Sequence, residues 1–244
     1  HPSDVVELRM GKKGFKYKSG QYLYLNAPYL SVYEWHPFTI TSAPHEEFVS
    51  VHIRCVGKWT KGIRKLLAPE DEGTVEINQV KGPDGRPYIR LDGPFGAASE
   101  EVFKFRTVVL VGAGIGVTPF ASIIKSLYHK KKNSDKCKIE KAYFFWICRD
   151  MTSFEWFQGL LQHMEEEMEA GGDDFLSINI YLTQRLQKEI LDEYKIQQEE
   201  MDVDPITRLK TRTKFGRPDF DTIFDELKEA HVGQKLGVFF CGPR

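Results

Sequence analysis

A chain of 244 residues with 41% hydrophobic content is long and apolar enough to build two ordinary cores. Its 34 basic and 35 acidic residues leave a formal charge of −1 with no basic stripe, which argues against a nucleic-acid partner. Cys55, Cys137, Cys148 and Cys241 lie far apart without a C-x-x-C pair, excluding a disulfide framework or zinc site and fitting a reducing compartment. No run approaches the roughly 20 apolar residues that span a bilayer and no signal peptide opens the chain, so a soluble piece is expected, with both ends read as cut from something longer.

From residue 1 to about residue 102, short β-rich runs alternate with turn signals, the pattern of an antiparallel barrel or sandwich. Strands are predicted at Val5–Met10, Gln21–Ala27, Phe38–Ser42, Val49–Val56, Thr74–Val80 and Tyr88–Asp92, enough to close a barrel nearly. Gly11–Gly14 and Lys81–Pro87 are turns, the latter with an Asp84-Gly85 hairpin signal. Val49, Val51, Ile53 and Cys55 alternate with Ser50, His52 and Arg54. A polar outer face is the ordinary meaning of that alternation. The functional alternative is a rigidly held guanidinium whose planar fork matches phosphate oxygens. Trp35–Pro44, WHPFTITSAP, combines aromatics, hydroxyls and prolines. That mixture suits a flat, heteroatom-rich ring and equally an ordinary core strand with a proline-ended loop.

Asp92-Gly93-Pro94-Phe95-Gly96 ends this pattern and reads as a hinge, with a boundary near residue 100. Thr107–Val111 has no polar alternation, as in a strand buried on both faces. Gly112, Gly114 and Gly116 follow, and then Phe120, Ile123, Ile124, Leu127 and Tyr128 at helical spacing. Strand, glycine turn and helix let a phosphate approach backbone N–H groups at the positive end of a helix dipole. Val117 occupies the third glycine position of G-x-G-x-x-G, so that fingerprint is not met, and a tight turn without a ligand accounts for the same residues.

Further strands at Ala142–Cys148, Leu176–Leu182 and Leu236–Cys241 alternate with helical segments, the signature of a parallel α/β sheet. Ligands bind at the carboxyl ends of such strands, where Arg149-Asp150 and Cys241-Gly242-Pro243 stand. An arginine there favours the 2′-phosphate of NADPH and an acid the free ribose of NADH, and here they are adjacent. Thr152–Glu155 reads as a capping box for a helix with Phe157, Leu160, Leu161, Met164 and Met168 buried, Glu165–Glu167 solvated and Gly171-Gly172 at its end. Residues 183–216 exceed an ordinary loop; a solvated excursion with a charged helical core is expected, with a regulator-docking surface as the alternative. Lys130–Lys132 suits a helix C-terminus or anionic lipid.

HPFTITSAP, VHIRCVGKWT, DGPFG, LVGAGIGVTPFAS, FFWICRD, FEWF, GRPDF and FFCGP, in that order from residue 36 to residue 243, resemble the cytosolic dehydrogenase region of the NADPH oxidase family. The resemblance implies a ferredoxin-NADP reductase-like fold of two domains. These are an antiparallel FAD-binding β-barrel at 1–100 and an NADPH-binding α/β parallel-sheet domain at 101–244, truncated at its C-terminus. It places His36, Pro37, Phe38 and Thr39 in the flavin motif, with Thr39 near flavin N5, and extends the ring contact to Thr41 and Ser42. Arg54, with His52 beside it, would take the FAD pyrophosphate, while Trp59 and Thr60 close over it. Gly112, Gly114, Gly116, Thr118 and Pro119 match the pyridine-nucleotide loop, and Arg149 the reader of the 2′-phosphate. Arg217 matches an arginine near the adenosine phosphate, though a surface position at a helix start accounts for it equally.

Cys241, with Gly242 and Pro243, would lie near the nicotinamide; without the resemblance Cys241 reads as a small buried hydrophobe. Thr39 and Cys241 are thereby the catalytic candidates, and no metal ligands are implied. The implied activity is hydride transfer from NADPH to FAD, then single electrons towards haems of an upstream transmembrane domain that lies outside this sequence, and on to oxygen to give superoxide. The implied location is the cytoplasmic face of a membrane. A ferric-chelate reductase differing in final acceptor, and a catalytically silent scaffold binding partners through 183–216, are the alternatives.

Overall fold

The computed structural model describes residues 4–67, 81–151 and 155–242. In the first half, β1 (Val5–Gly11) pairs antiparallel with β4 (Phe48–Arg54), and β2 (Tyr22–Asn26) lies between β3 (His36–Thr39) and β5 (Arg90–Phe95). A bridge from Ile40 to Val51 joins the two sheets. Leu23 and Leu25 of β2, Ile40, and Val49, Val51 and Ile53 of β4 are fully buried together. Alternation therefore works as period-two pleating demands, with the apolar set inward and Ser50, His52 and Arg54 on the other face.

Several expectations for this half need correction. The run predicted as Phe38–Ser42 is a strand from His36 to Thr39, and Tyr88–Asp92 moves to Arg90–Phe95. Asp92–Phe95 is thus the end of an edge strand, which the chain leaves at Gly96. Pro94 lacks a ladder donor and Gly93 sits at φ +133, and the pairing with β2 slips between Tyr22 and Tyr24 to accommodate them. A helix not anticipated, α1 (Lys58–Leu67), buries Trp59, Ile63 and Leu67 at four-residue spacing against the same core. The predicted strand Thr74–Val80 lies outside the described residues.

The second half is a five-stranded parallel sheet in the order β10-β6-β7-β8-β9, built from β6 (Thr107–Ala113), β7 (Lys141–Cys148), β8 (Leu176–Leu182), β9 (Lys214–Phe215) and β10 (Leu236–Cys241). The two-residue β9 was not anticipated. Val108 and Leu110 face α2 (Thr118–Lys132) and α3 (Glu155–Gly171), while Val109 and Val111 face α5 (Phe220–Ala230). Both faces of β6 are covered, as its unbroken apolar run requires. The residues of the predicted capping box from Thr152 to Phe154 lie outside the described residues.

Residues 183–216 contain the expected helix, α4 (Lys188–Glu200), but the rest is not a solvated excursion. Asp204 is fully buried and accepts six hydrogen bonds, from Tyr194, from the backbone of Ile206, Thr207 and Thr213, and from the hydroxyls of Thr207 and Thr213. Glu165, expected in a solvated run, instead accepts from Lys210 N at 2.6 Å and Thr211 N at 3.0 Å. Two carboxylates thus fold this segment onto α3 and α4 by filling their lone pairs with its N–H groups.

Candidate active site

The pleat of β3 divides the HPFT run between two faces. His36 and Phe38 turn towards Trp59, with ring centroids 4.2 and 6.0 Å from it. Thr39 lies directly across from Tyr22, whose ring meets Tyr24 and Phe95 at 5.7 and 5.6 Å. This aromatic platform beside Thr39 was missed from sequence, although its signal was present: in QYLYLN the leucines alternate inward, leaving Tyr22 and Tyr24 outward.

Thr41 and Ser42 are fully buried. Thr41 Oγ1 lies 2.9 Å from both Ser50 Oγ and His52 Nδ1, and Ser42 Oγ accepts from Ser50 N at 2.9 Å. Burial lowers the His52 pKa to about 4, assisted by the Lys125 and Arg9 charges and opposed by Glu7. His52 is therefore neutral at physiological pH and offers a phosphate no charge. Arg54, two residues on along the same face, is exposed. α1 starts four residues after Arg54, and the hydroxyl of its third residue, Thr60, accepts from Gly57 N and donates to Gly57 O.

In the parallel half the chain runs outward from β6 through β7, β8 and β9, then returns to place β10 on the other side of β6. That reversal is a topological switch point, where α/β sheets open a crevice at the strands' carboxyl ends. Cys241 pairs with Gly112 there. The three glycines do different work. A Cβ on Gly112 would stand 2.9 Å from Val117 Cα, and one on Gly116 2.3 Å from the Cys241 carbonyl oxygen, so those two permit close packing. Gly114, at φ +55, would meet nothing within 4 Å and faces open space. A short 3-10 turn, Gly114–Val117, leads into α2, with Thr118 and Pro119 in its first turn. Cys241 is half-buried and burial raises its pKa, so it stays a thiol. Gly242 closes beside Ala113, while Pro243 lies outside the described residues.

Arg149 is exposed just beyond the end of β7, and Arg217 is exposed just beyond β9, two strands further along. The structure thus brings Gly112, Gly114, Gly116, Thr118, Pro119, Cys241 and Gly242 together, while Arg149 and Arg217 follow the carboxyl ends of β7 and β9 in the same sheet. A cleft of 470 Å³ is lined by Met151, Leu186, Ile190, Tyr194, Ile206 and Arg208. Two observations suit nucleotide cofactors: the open cradle at Gly114 ahead of α2, and the Trp59 indole N–H, buried without a hydrogen-bond partner among the described residues. No group of three metal-ligating side chains forms among the described residues.

Antiparallel sheets followed by a parallel sheet with its glycine turn at the switch point define a ferredoxin-NADP reductase-like protein of two parts. Comparison with known proteins agrees. Residues 105–244 match the family described as ferric reductase NAD binding domain, and residues 1–99 match an FAD-binding domain family. The chain belongs to the ferric reductase NAD-binding family, and its homologues are NADPH oxidases. It is 51% identical over 247 residues to a superoxide-generating NADPH oxidase heavy chain of Dictyostelium discoideum, covering 100% of this chain and 47% of the relative. It is 46% identical over 246 residues to NADPH oxidase 1 of Mus musculus, covering 100% of this chain and 39% of the relative. The chain thus spans less than half of either relative. Among solved structures, a ferredoxin NADP+ reductase from Neisseria gonorrhoeae with bound FAD and NADP superposes with a TM-score of 0.54 at 16% identity, covering 98% of this chain and 93% of that one.

Proposed function

We propose that this chain is the dehydrogenase part of a superoxide-generating NADPH oxidase, with an FAD-binding part up to about residue 100 and an NADPH-binding part after it. The observation that carries the reading is the switch-point crevice, where Cys241 pairs with Gly112 and Gly114 faces open space ahead of α2. The names of the relatives support the oxidase, and no hydride transfer requires a general base, which suits a site of glycines, hydroxyls and a neutral thiol. Bound there, NADPH and FAD supply the hydride donor and acceptor.

The chain's own residues bind, orient and exclude water. Arg54 and the nearby start of α1 hold the FAD pyrophosphate, with the indole N–H of Trp59 as a further donor, and Thr39 with the Tyr22 platform orients the flavin ring. Neutral His52 keeps Thr41 in place rather than meeting phosphate. The first turn of α2 takes the NADPH pyrophosphate, Arg149 the 2′-phosphate and Arg217 the adenosine side, while Cys241 borders the nicotinamide. Among the described residues no helix is long and apolar enough to cross a membrane. In the full-length protein the electrons go to an upstream transmembrane haem domain, with this part on the cytoplasmic face. The cleft beside α4 is where a regulatory protein would dock on residues 183–216.

The test is anaerobic rapid mixing of the FAD-reconstituted chain with NADPH and, separately, with NADH, following flavin bleaching near about 450 nm. Fast bleaching by NADPH, with Arg149→Gln raising its KM at least tenfold and leaving NADH unaffected, is expected. Equal rates with both nucleotides would return the choice to Asp150. Failure to retain FAD would favour the silent scaffold.

A further inference from the structure

One helix belongs to both halves of the molecule. The first turn of α2 closes the glycine turn, and four residues on, about 6 Å along the axis, the same helix reaches the flavin half. Ser122 Oγ donates to the Ser42 carbonyl at 2.7 Å, Lys125 Nζ reaches both carboxylate oxygens of Glu46 at 3.2 Å, and Ser126 Oγ lies 2.5 Å from Ser19 Oγ. Positions 122, 125 and 126 are three and four apart, so they form one face of the helix. That face is polar. Ser122 and Ser42 are both fully buried.

Ser42 is held from the other side as well. Its hydroxyl accepts from Ser50 N and lies 2.7 Å from Tyr17 OH, and Tyr17 donates onward to Ala43 O at 2.9 Å. Thr41 and its bonds to Ser50 and His52 are one residue away. A set of short bonds therefore runs from α2 to Ser42 and, with its neighbour Thr41, on to Ser50 and His52 of β4, just beyond the end of β3 at Thr39. Within the first half, near the crossover, Ser99 Oγ donates to Gly20 O at 2.7 Å and Gln21 Nε2 to Glu100 at 3.1 Å.

We infer that Ser122 is a positioning residue that sets the distance between the nucleotide crevice and the flavin face. The inference rests on the proposed reading that these two surfaces carry donor and acceptor. Hydride transfer needs its reacting atoms within about 3–3.5 Å, and a misplacement of about 1 Å can lower a rate about a hundredfold. A serine permits a direct hydroxyl-to-carbonyl bond between two backbones; any longer apolar side chain would hold them apart.

The test uses the whole chain with Ser122→Ala, and with Lys125→Met as a partly exposed second clasp that removes the Glu46 pair without opening a cavity. In cofactor-free protein, hydrogen exchange of residues 40–44 and 118–126 should speed up together, about tenfold in Ser122→Ala and less in Lys125→Met. In the FAD-loaded protein the bleaching rate at saturating NADPH should fall about tenfold or more, with the KM for NADPH and FAD retention within about twofold of the parent. Faster exchange confined to α2, or a bleaching rate unchanged while exchange speeds up in both segments, would overturn the positioning role. If Ser122→Ala does not fold, Lys125→Met must still show both effects for the inference to stand. If the parent protein itself binds no FAD or is not bleached, the functional reading fails, and the exchange result alone decides whether the bond couples the two halves.

Discussion

Two buried polar clusters organise this molecule, and they are built from opposite materials. The buried bonds at the join between the halves are neutral hydroxyls, Ser122 on Ser42 and Ser126 on Ser19, beside the partly exposed Lys125–Glu46 ion pair. The fold of 201–213 uses a charge, Asp204, surrounded by six donors from its own stretch of chain and from α4. A hydroxyl pair contributes about 1 kcal/mol net and is readily replaced by water when it opens. A buried carboxylate is costly unless every lone pair is filled, and then holds its surroundings in a single arrangement. Neutral bonds suit two surfaces that must register against each other. A buried charge suits a segment with few apolar residues, which must be folded from within.

The largest effect should come from breaking the charged cluster. Asp204→Ala strands the hydroxyls of Tyr194, Thr207 and Thr213 and the N–H groups of Thr207 and Thr213, all on buried residues, at about 1–3 kcal/mol for each group that finds no water. A loss of about 3 kcal/mol or more in urea unfolding is expected, with Asp204→Asn losing less because one acceptor oxygen remains. Burial would raise the Asp204 pKa, but the bonds from Tyr194, Thr213 and Thr207 outweigh it and hold the carboxyl below its usual range. Its stabilisation is thus complete above the unfolded pKa of about 3.9 and lost as pH falls through the folded value. A loss under about 0.5 kcal/mol for Asp204→Ala would show that the segment is held by something else.

These two clusters also mark where sequence patterns stop being informative. β6, the glycine turn and α2 were legible because their evidence is local: an unbroken apolar run, three glycines, then three-and-four spacing. α1 had the same spacing in Trp59, Ile63 and Leu67, but Gly62 and four lysines or arginines between residues 58 and 65 obscured it. Glu165 looks like its neighbours Glu166 and Glu167 in a charged run, and only the N–H groups 45 and 46 residues away distinguish it. Ser122 is equally silent, since its partner is 80 residues earlier. The candidate site was half legible. Residue types along the crevice could be read from their motifs, whereas the split of the HPFT run across two faces depends on pairing with β2, which no short pattern encodes.

An intermediate effect should appear on the neutral side of the comparison through His52, which sits behind Thr41 near the join. With a folded pKa of about 4 against an unfolded value of about 6.5, the folded state binds fewer protons between those limits. His52 therefore contributes stability that is complete above about pH 6.5 and is lost as pH falls towards 4. Stability should drop by about 1 kcal/mol per pH unit or less between pH 6 and 5, and His52→Gln should flatten that slope. His45, whose pKa is lowered by burial and by the stacked His129 ring, adds a smaller slope of the same sign. An unchanged slope in His52→Gln would assign the acid sensitivity to His45 instead.

The smallest effect separates an ion pair at the join from one on the open surface. Lys125 and Glu46 are each only 21% exposed, whereas Arg106 and Glu140, which tie the starts of β6 and β7 together, are 59% and 56% exposed. The exposed pair has the better geometry, with Arg106 Nε and Nη2 bonding the two carboxylate oxygens at 3.0 and 2.9 Å. Geometry alone would favour it; solvent screening favours the other. Exposed pairs contribute about 0.2–1 kcal/mol, and at about 1 M salt the screening length shrinks to about 3 Å. Arg106→Gln should therefore destabilise by about 0.5 kcal/mol or less at low salt and by nothing measurable at high salt. The loss from Lys125→Met should be larger and survive the salt, because the Glu46 carboxylate left behind at the seam is shielded from the added ions. If both losses vanish together in salt, the seam is open to solvent, and the hydroxyl bonds beside it must carry the join alone.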